Sequence, residues 1–573
     1  MMRSPSGPLE LVARSCSIAI AVIFAVIFAG CAAGGGDERR EAASQTAPRV
    51  VTLDSPSPMV SFKVMVRAGS TGDPPGREGA AYLTAEALIE GGFGDRDDPV
   101  TKERLAEITL PWGEGAMPAA QVADRATTFH FTVPRDVLGE YIDRVLRPML
   151  LQPLFLPDEV ERLKAEMAAG LPALRYEKLE DLGLAALDAY VLEGTRYVHP
   201  PFGTETAIPR LSSDDARAFY RSHYRPENII IGVSTSDPGV VEPIVDVVRS
   251  LETSGNPRTP RRPDPGRAPG VQGSRAVIIV VPDAPAASLH LGFPIGVDRP
   301  HPDFWPLHVA NTWLGTHRDS FGRLYQAIRQ ERGYNYGDYS YIEHWSGRPA
   351  SLFQVFNQPR EEQYFSIWIR PVAHEHAHHL LKAAAWELER LVREGLTEEQ
   401  LAAAKKKARV LYLNLAETVH RLVAAKMDDA YHGLAGGFLE TYLASIDAVT
   451  RERVNEALRR HLDPGGIKYL VVTDPEHADG LAESLREGGV AYGKVPADYG
   501  FEEVTLEDGR TAWQVPEEKL DMLRLDAVWA AHPLHIEDVR VAPVTALFRD
   551  AEFLSPAGAG DAGEDREDDR RAE

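Results

Sequence analysis

A chain of 573 residues is longer than one ordinary core accommodates, so two or more domains are expected. Hydrophobic residues at 44% and charged residues at 26% give the balance of a soluble globular protein. The formal net charge of -23 excludes a nucleic-acid binder, because phosphate would be repelled.

Arg3 and Arg14 precede "CSIAIAVIFAVIFAGC", an apolar run of signal-peptide length that is short for a membrane span. Residues 1–30 are predicted as a signal peptide. The small residues before Cys31 resemble the bacterial lipobox, which would make Cys31 the lipid-modified start of the mature chain. A plain uncleaved anchor and ordinary signal-peptidase cleavage remain open. Cys16 and Cys31 are the two cysteines, so a cleaved chain has no disulfide. Acyl chains on Cys31 would hold the body at a membrane surface without spanning it. The expected place is the bacterial cell envelope, on the periplasmic face of the outer membrane, with residues 31–48 as a polar tether.

"MVSFKVMVRAGS" alternates Val60, Phe62, Val64 and Val66 with other residues, which predicts a half-buried strand. A helix follows from about Gly79 to Glu90. "LPDEVERLKAEMAAGL" reads as a helix whose acidic first turn suits the helix dipole. "DARAFYRSHYRPENIIIGVS" closes residues 49–252 as helix, turn and buried strand. The proline- and arginine-rich stretch 253–274 reads as a linker.

The design then starts again over 275–480. "SLHLGFPIG" is a strand and "PDFWPLHVANTWLG" a helix. "LTEEQLAAAKKKARV" is a helix that Thr397 and Gln400 would open with a capping box. His223 and His461 each precede a final strand, and Phe62 and Leu289 sit on the two opening strands. Their separations in the chain are nearly constant, as in a duplicated domain. The fold class is α+β: two tandem domains, each a sheet with helices packed on one face. Residues 481–554 have apolar content enough to pack as an extension across the body. The acidic tail 555–573 has nothing to bury and reads as disordered.

The strand "VSFKVMVRAGS", the phrase "GREGAAYLTAEALIEGG" and "FGRLYQAIRQERGYNYGDYS" resemble the pitrilysin/insulinase metallopeptidases, in their mitochondrial-processing-peptidase-like branch. The resemblance spans about residues 49–480 and implies a clamshell of two similar domains around a peptide-holding cavity. Active members carry H-x-x-E-H: positions i and i+4 share a helix face and grip zinc, while the glutamate serves as general base. On this chain the three positions fall on Tyr82, Ala85 and Glu86. A tyrosine and one carboxylate lack the two imidazoles, and alanine takes no proton. The third ligand is expected on the helix after Pro157, where Glu161 and Glu166 are available. No metal is therefore expected on this chain. Tyr82 and Ala85 read as core packing and Glu86 as a solvated or paired carboxylate.

Active relatives also use an arginine and a tyrosine, seven positions apart, to hold the substrate backbone and polarise the scissile carbonyl. The resemblance assigns these catalytic positions to Arg329 and Tyr336. Read alone, they are an exterior helix arginine and a half-buried strand tyrosine. "HEHAHH" at His374 to His379 offers an i, i+4 histidine pair but reads as a solvated helix start. His199, His290, His301, His308 and His317 show no paired spacing.

The implied protein is the zinc-free subunit of a heterodimeric peptidase, inactive alone, whose partner carries H-x-x-E-H and the zinc. Its substrate would be an extended peptide adding to a sheet edge of the first half. A non-catalytic peptide-binding or scaffold lipoprotein is the alternative, and a single-chain zinc peptidase with a rebuilt site is a third reading.

Overall fold

The structure, a computed structural model, describes residues 47–252, 266–346, 354–508 and 510–554. The predicted leader with Cys31, most of the tether, most of the linker and the acidic tail lie outside these residues.

In the first half, β1 (Arg49–Thr52), β2 (Met59–Val66), β3 (Ala119–Val122), β4 (Thr127–Pro134) and β5 (Ile229–Val233) make a sheet in the order β1-β5-β2-β4-β3. Only β1 and β5 run parallel. Phe62 lies opposite Phe131 across β2 and β4, and their rings stack with centroids 4.5 Å apart. Such aromatic pairs help set strand register.

The second half uses β6 (Ser274–Val280), β7 (Ala287–Ile295), β8 (Asp338–Tyr341), β9 (Gln363–Val372) and β10 (Lys468–Thr473). Its order, β8-β9-β7-β10-β6, repeats the first sheet strand for strand, with β6 and β10 as the parallel pair.

The helices used below are α1 (Ala80–Glu90), α2 (Pro157–Tyr176), α3 (Leu179–Val191) and α4 (Ser213–His223) in the first half. The second half has α5 (Phe304–Leu314), α6 (Ala377–Glu394), α7 (Glu398–Leu415), α8 (Val419–His432), α9 (Arg451–His461) and α10 (Pro475–Glu487), and α11 (Leu520–Ala531) follows. The predicted capping box of Thr397 and Gln400 opens α7.

The strand predicted as half-buried is buried on both faces. Val60, Phe62, Val64 and Val66 join the core beneath the first half's own helices, while Met65 and Ile230 on the opposite face meet Val423 and Met427 of α8. The exchange is mutual. Leu182, Ala186 and Leu187 of α3 pack with Val277, Ile279 and Leu470 of the second sheet, and Leu184 reaches Tyr339 and Trp368. Each sheet therefore lies between its own helices and one helix from the other half. Close approach needs small residues: a Cβ on Gly232 of β5 would collide with Met427, and one on Gly183 of α3 with His290.

The segment after α10 is a strap. Its α11 packs on α6, with Arg332 stacked 4.2 Å from the Trp529 ring and bonded to the Met522 carbonyl at 2.9 Å. Next, β11 (Ile536–Pro543) pairs in parallel with β6 and extends the second sheet to six strands. The chain then crosses to the first half. Glu205 N–H donates to the Phe548 carbonyl at 3.0 Å, and Phe553 stacks on Tyr190 at 4.7 Å. The burial of Leu547, Phe548 and Phe553 in the first core explains the strap's apolar content.

Candidate functional site

The site is built on α1. Gly79 precedes that helix at φ 102°, a left-handed conformation that suits glycine. Asp73 takes the place of a capping side chain: its carboxylate accepts from Gly79 N–H and Ala81 N–H, each at 2.7 Å. Its carboxyl sits well above the ordinary range because it is wholly buried, even though those two bonds oppose the shift.

Along α1, Tyr82, Glu86 and Glu90 form one half-buried row, while Ala85 is fully buried in the core. The i, i+4 positions thus share a face, but the groups on it are wrong for zinc. The Tyr82 ring packs edge-on against Phe202 at 6.5 Å. Its phenol is raised to about 12 by burial first and then by Glu86.

Glu86 departs from its sequence reading, since it is half-buried, largely withdrawn from solvent without gaining a hydrogen-bond or ion-pair partner among the described residues. Burial, reinforced by Glu90 and Glu166, raises its carboxyl to about 7.

Of the two third-ligand candidates on α2, Glu161 is exposed and pairs with Lys164 at 2.8 Å. Glu166 acts on Tyr82 and Glu86 but is held by Arg162 at 2.6 Å. Arg162 also binds Glu159 at 2.9 Å and Glu90 at 3.0 Å, and Lys102 reaches Glu90 at 2.9 Å. Arg162 and Lys102 therefore pair with the acids that flank Glu86, where the family would place a dication. With no imidazole on this face and no base at Ala85, the residues present do not fit zinc. Three-residue groups able to hold a metal do occur among the described residues, at His301, Asp303, His461 and at His374, Asp474, His477.

Arg329 and Tyr336 stand apart from α1. Arg329 lies one residue before the end of a π-helical turn, Tyr325–Gln330. Its guanidinium lies 5.9 Å from the Tyr325 ring and makes no hydrogen bond among the described residues. Tyr336 lies in the turn before β8 rather than in a strand, and it is 76% exposed. That turn is rigid. Asn335 donates to Asp338 at 2.7 Å and to the Arg370 carbonyl at 3.0 Å, and accepts from Gly337 N–H at 3.1 Å. Burial raises Asp338 well above the ordinary carboxylate range, opposed by Asn335, Arg370 and Arg329. Arg329 is thus within electrostatic reach of the turn that carries Tyr336.

Between the halves is a cavity of about 340 Å³ whose lining includes Asp124, Asp188, Tyr197, His199, Phe202 and Trp345. Phe202 joins it to Tyr82. A latch that no local pattern announces crosses this region. Arg360, 2% exposed, binds Asp124 at 2.7 Å and Asp188 at 2.8 Å, and Arg125 binds Glu361 at 2.6 Å. Burial pushes Asp188 up, but Arg360 and His344 hold it below its ordinary value. Gln121, on the edge strand β3, donates to the Phe356 carbonyl at 3.2 Å.

"HEHAHH" is not a solvated helix start. His374–His376 make a 3-10 turn, and then His378 and His379 are buried on α6. His378 meets Ser484 Oγ at 2.7 Å and His379 meets the Ala491 carbonyl at 2.9 Å, because α10 covers the first and the strap the second.

Fold and site together define a peptidase-like chain of two matched halves whose metal face is rebuilt with a phenol, a proton-holding acid and an arginine. Comparison with known proteins agrees. Residues 210–408 match the family described as "Peptidase M16 inactive domain". An uncharacterized zinc protease of Streptomyces coelicolor is 27% identical over 367 residues, 62% of this chain and 72% of that protein. Subunit 1 of the mitochondrial cytochrome b-c1 complex of Caenorhabditis elegans is 25% identical over 427 residues, 72% of this chain and 83% of that protein. A crystal structure of a peptidase M16 inactive domain from Pseudomonas fluorescens shares the fold with TM-score 0.63 at 21% identity, covering 75% of this chain and 96% of that one. The chain is similar to pitrilysin-family proteins, and its α1 lacks the H-x-x-E-H zinc motif. The matched stretch 210–408 does not include α1, so the case against zinc there rests on Tyr82, Ala85, Glu86 and Arg162 themselves.

Proposed function

We propose that this chain is the zinc-free subunit of a heterodimeric zinc metallopeptidase acting on peptides or unfolded segments. Inactive-domain chains of this family generally pair with active subunits, and the partner here would supply H-x-x-E-H and the zinc. One relative is, by its name, a subunit of a larger complex.

The observation that carries the reading is asymmetric. The metal face is filled by Tyr82, Glu86 and Arg162, whereas Arg329 and Tyr336 keep their polar groups unengaged among the described residues. The Arg329 guanidinium suits bidentate bonding to a substrate backbone carbonyl. The Tyr336 phenol, held out by a rigid turn, suits donation to a developing oxyanion. In this reading lipid on Cys31 keeps the pair at the periplasmic face of a bacterial outer membrane.

The latch favours a second reading. Halves tied by Arg360 around a cavity of about 340 Å³ suit a chain that binds peptide without cleaving it. One experiment separates the two. The chain is expressed alone and with candidate zinc-bearing partners, each with Arg329→Ala or Tyr336→Phe. The first reading expects activity only in the pair, with kcat/KM lowered about 10²-fold or more by either variant. Activity without a partner, or a pair indifferent to both variants, refutes it. Peptide binding that persists in both variants without hydrolysis establishes the second.

A further inference from the structure

The turn after β9 and the start of α10 bring together three side chains far apart in sequence. His374 opens the 3-10 turn, Asp474 caps α10 by accepting His477 N–H at 3.0 Å, and His477 lies in the first turn of that helix. The two imidazoles stack face to face, 4.4 Å apart and within 8° of parallel. Both turn a nitrogen edge to one carboxylate. His477 Nδ1 lies 2.7 Å from Asp474 Oδ1, and His374 Nε2 lies 3.6 Å from Asp474 Oδ2. One ligand atom from each residue falls within 4.8 Å of the other two.

We propose that His374, Asp474 and His477 form a binding site for a late first-row dication of the zinc class, separate from the rebuilt face of α1. Two imidazoles and a carboxylate are a donor set that such ions take. Ligand atoms around tetrahedral zinc sit about 3.3 Å apart. Binding therefore closes the 3.6 Å edge between His374 and Asp474, opens the 2.7 Å edge between His477 and Asp474, and rotates the two stacked rings so that His374 Nε2 leaves the Ala284 carbonyl for the metal.

The shell behind His374 is in place. Without metal, its Nε2–H donates to the Ala284 carbonyl at 3.2 Å and its Nδ1 accepts from Thr473 Oγ1 at 2.7 Å. On binding, the ring changes tautomer: Nε2 gives its lone pair to the metal, and the ring proton moves to Nδ1 and donates to Thr473. The His374 ring stays neutral and keeps an outer partner, as a ligand histidine ordinarily does. His477, whose Nδ1–H donates to Asp474 Oδ1 at 2.7 Å, moves that proton to Nε2, so it too ligates as a neutral ring and no proton is lost.

The His301, Asp303, His461 group, by contrast, has Arg460 bonded to Asp303, so a cation already occupies its carboxylate. Among the described residues, Asp474 forms ion pairs only with the two histidines. The N-terminus of α10 weakly opposes a cation, and the Asp474 charge offsets it. A bound ion would tie the end of β9 to the start of α10 and brace that end of the second sheet.

The test uses the full chain, stripped with chelator and titrated with Zn²⁺ by calorimetry and with Co²⁺ by visible absorption. One ion per chain is expected, with affinity falling at least about tenfold in Asp474→Asn and in His477→Ala. Asparagine still caps a helix, so Asp474→Asn keeps the fold. His301→Ala and Glu86→Gln leave binding unchanged. An absence of saturable binding, or binding equal in wild type and both variants (an adventitious ion only), overturns the proposal. Loss of the ion in Glu86→Gln instead would place it on α1 and overturn the zinc-free reading as well. The readout needs no peptidase partner, so the heterodimer can fail while this site stands.

Discussion

Glu86→Gln should stabilise the protein, and only above a definite pH. The wild-type carboxyl is raised from 4.5 to about 7, first by burial and then by Glu90 and Glu166. An acid with a raised pKa favours the folded state while both states are protonated, and that advantage is lost as pH rises from the unfolded value through the folded one. At 1.36 kcal/mol per tenfold change in ionisation, the full loss is about 3 kcal/mol. Glutamine matches the protonated acid in shape and carries no charge. The variant should therefore gain under about 1 kcal/mol at pH 5 and about 3 kcal/mol at pH 8. Urea denaturation followed by fluorescence, at constant ionic strength and with m unchanged, reads the difference directly. A gain equal at both pH values, or none at pH 8, would mean that Glu86 is solvated or paired and that the account of the metal face is wrong.

Three further outcomes follow from the same contacts. Arg360→Ala leaves Asp188 and Asp124 uncompensated in a buried region and should cost about 3–5 kcal/mol, read as a lower denaturation midpoint; a loss below about 1 kcal/mol would show that the latch contributes little. Phe553→Ala removes a buried ring stacked 4.7 Å from Tyr190 and should cost about 3 kcal/mol, with limited proteolysis cutting first between residues 544 and 554; initial cleavage elsewhere would refute the strap's role. Cys31→Ser should abolish incorporation of labelled fatty acid and release the protein from membranes; undiminished labelling would contradict the lipid anchor.

Much of the architecture could be read along the chain because it depends on short-range pattern. The alternation at Val60 to Val66 placed β2, the Thr397 and Gln400 spacing placed the start of α7, and the repeated helix–turn–strand endings at His223 and His461 betrayed the duplicated topology. The family resemblance located the rebuilt metal face, and helix geometry, which puts positions i and i+4 together, then set Tyr82 and Glu86 on one side of α1. Arg329 and Tyr336 were found only through a family resemblance, for nothing in their spacing alone says that one guanidinium is unengaged and one phenol exposed.

Residue order along one strand or helix settles which groups share a face, and so already rules imidazole ligation out of α1. What covers the other face is a long-range matter. Met65 and Ile230 are buried because α8 arrives from the second half, and Gly183 is small because His290 crosses it. Asp474 meets His374 only after β9 and β10 finish at the same end of the sheet, on either side of β7. Local periodicity carries no information about such partners, because their free energy comes from surfaces that meet only once the whole chain has folded.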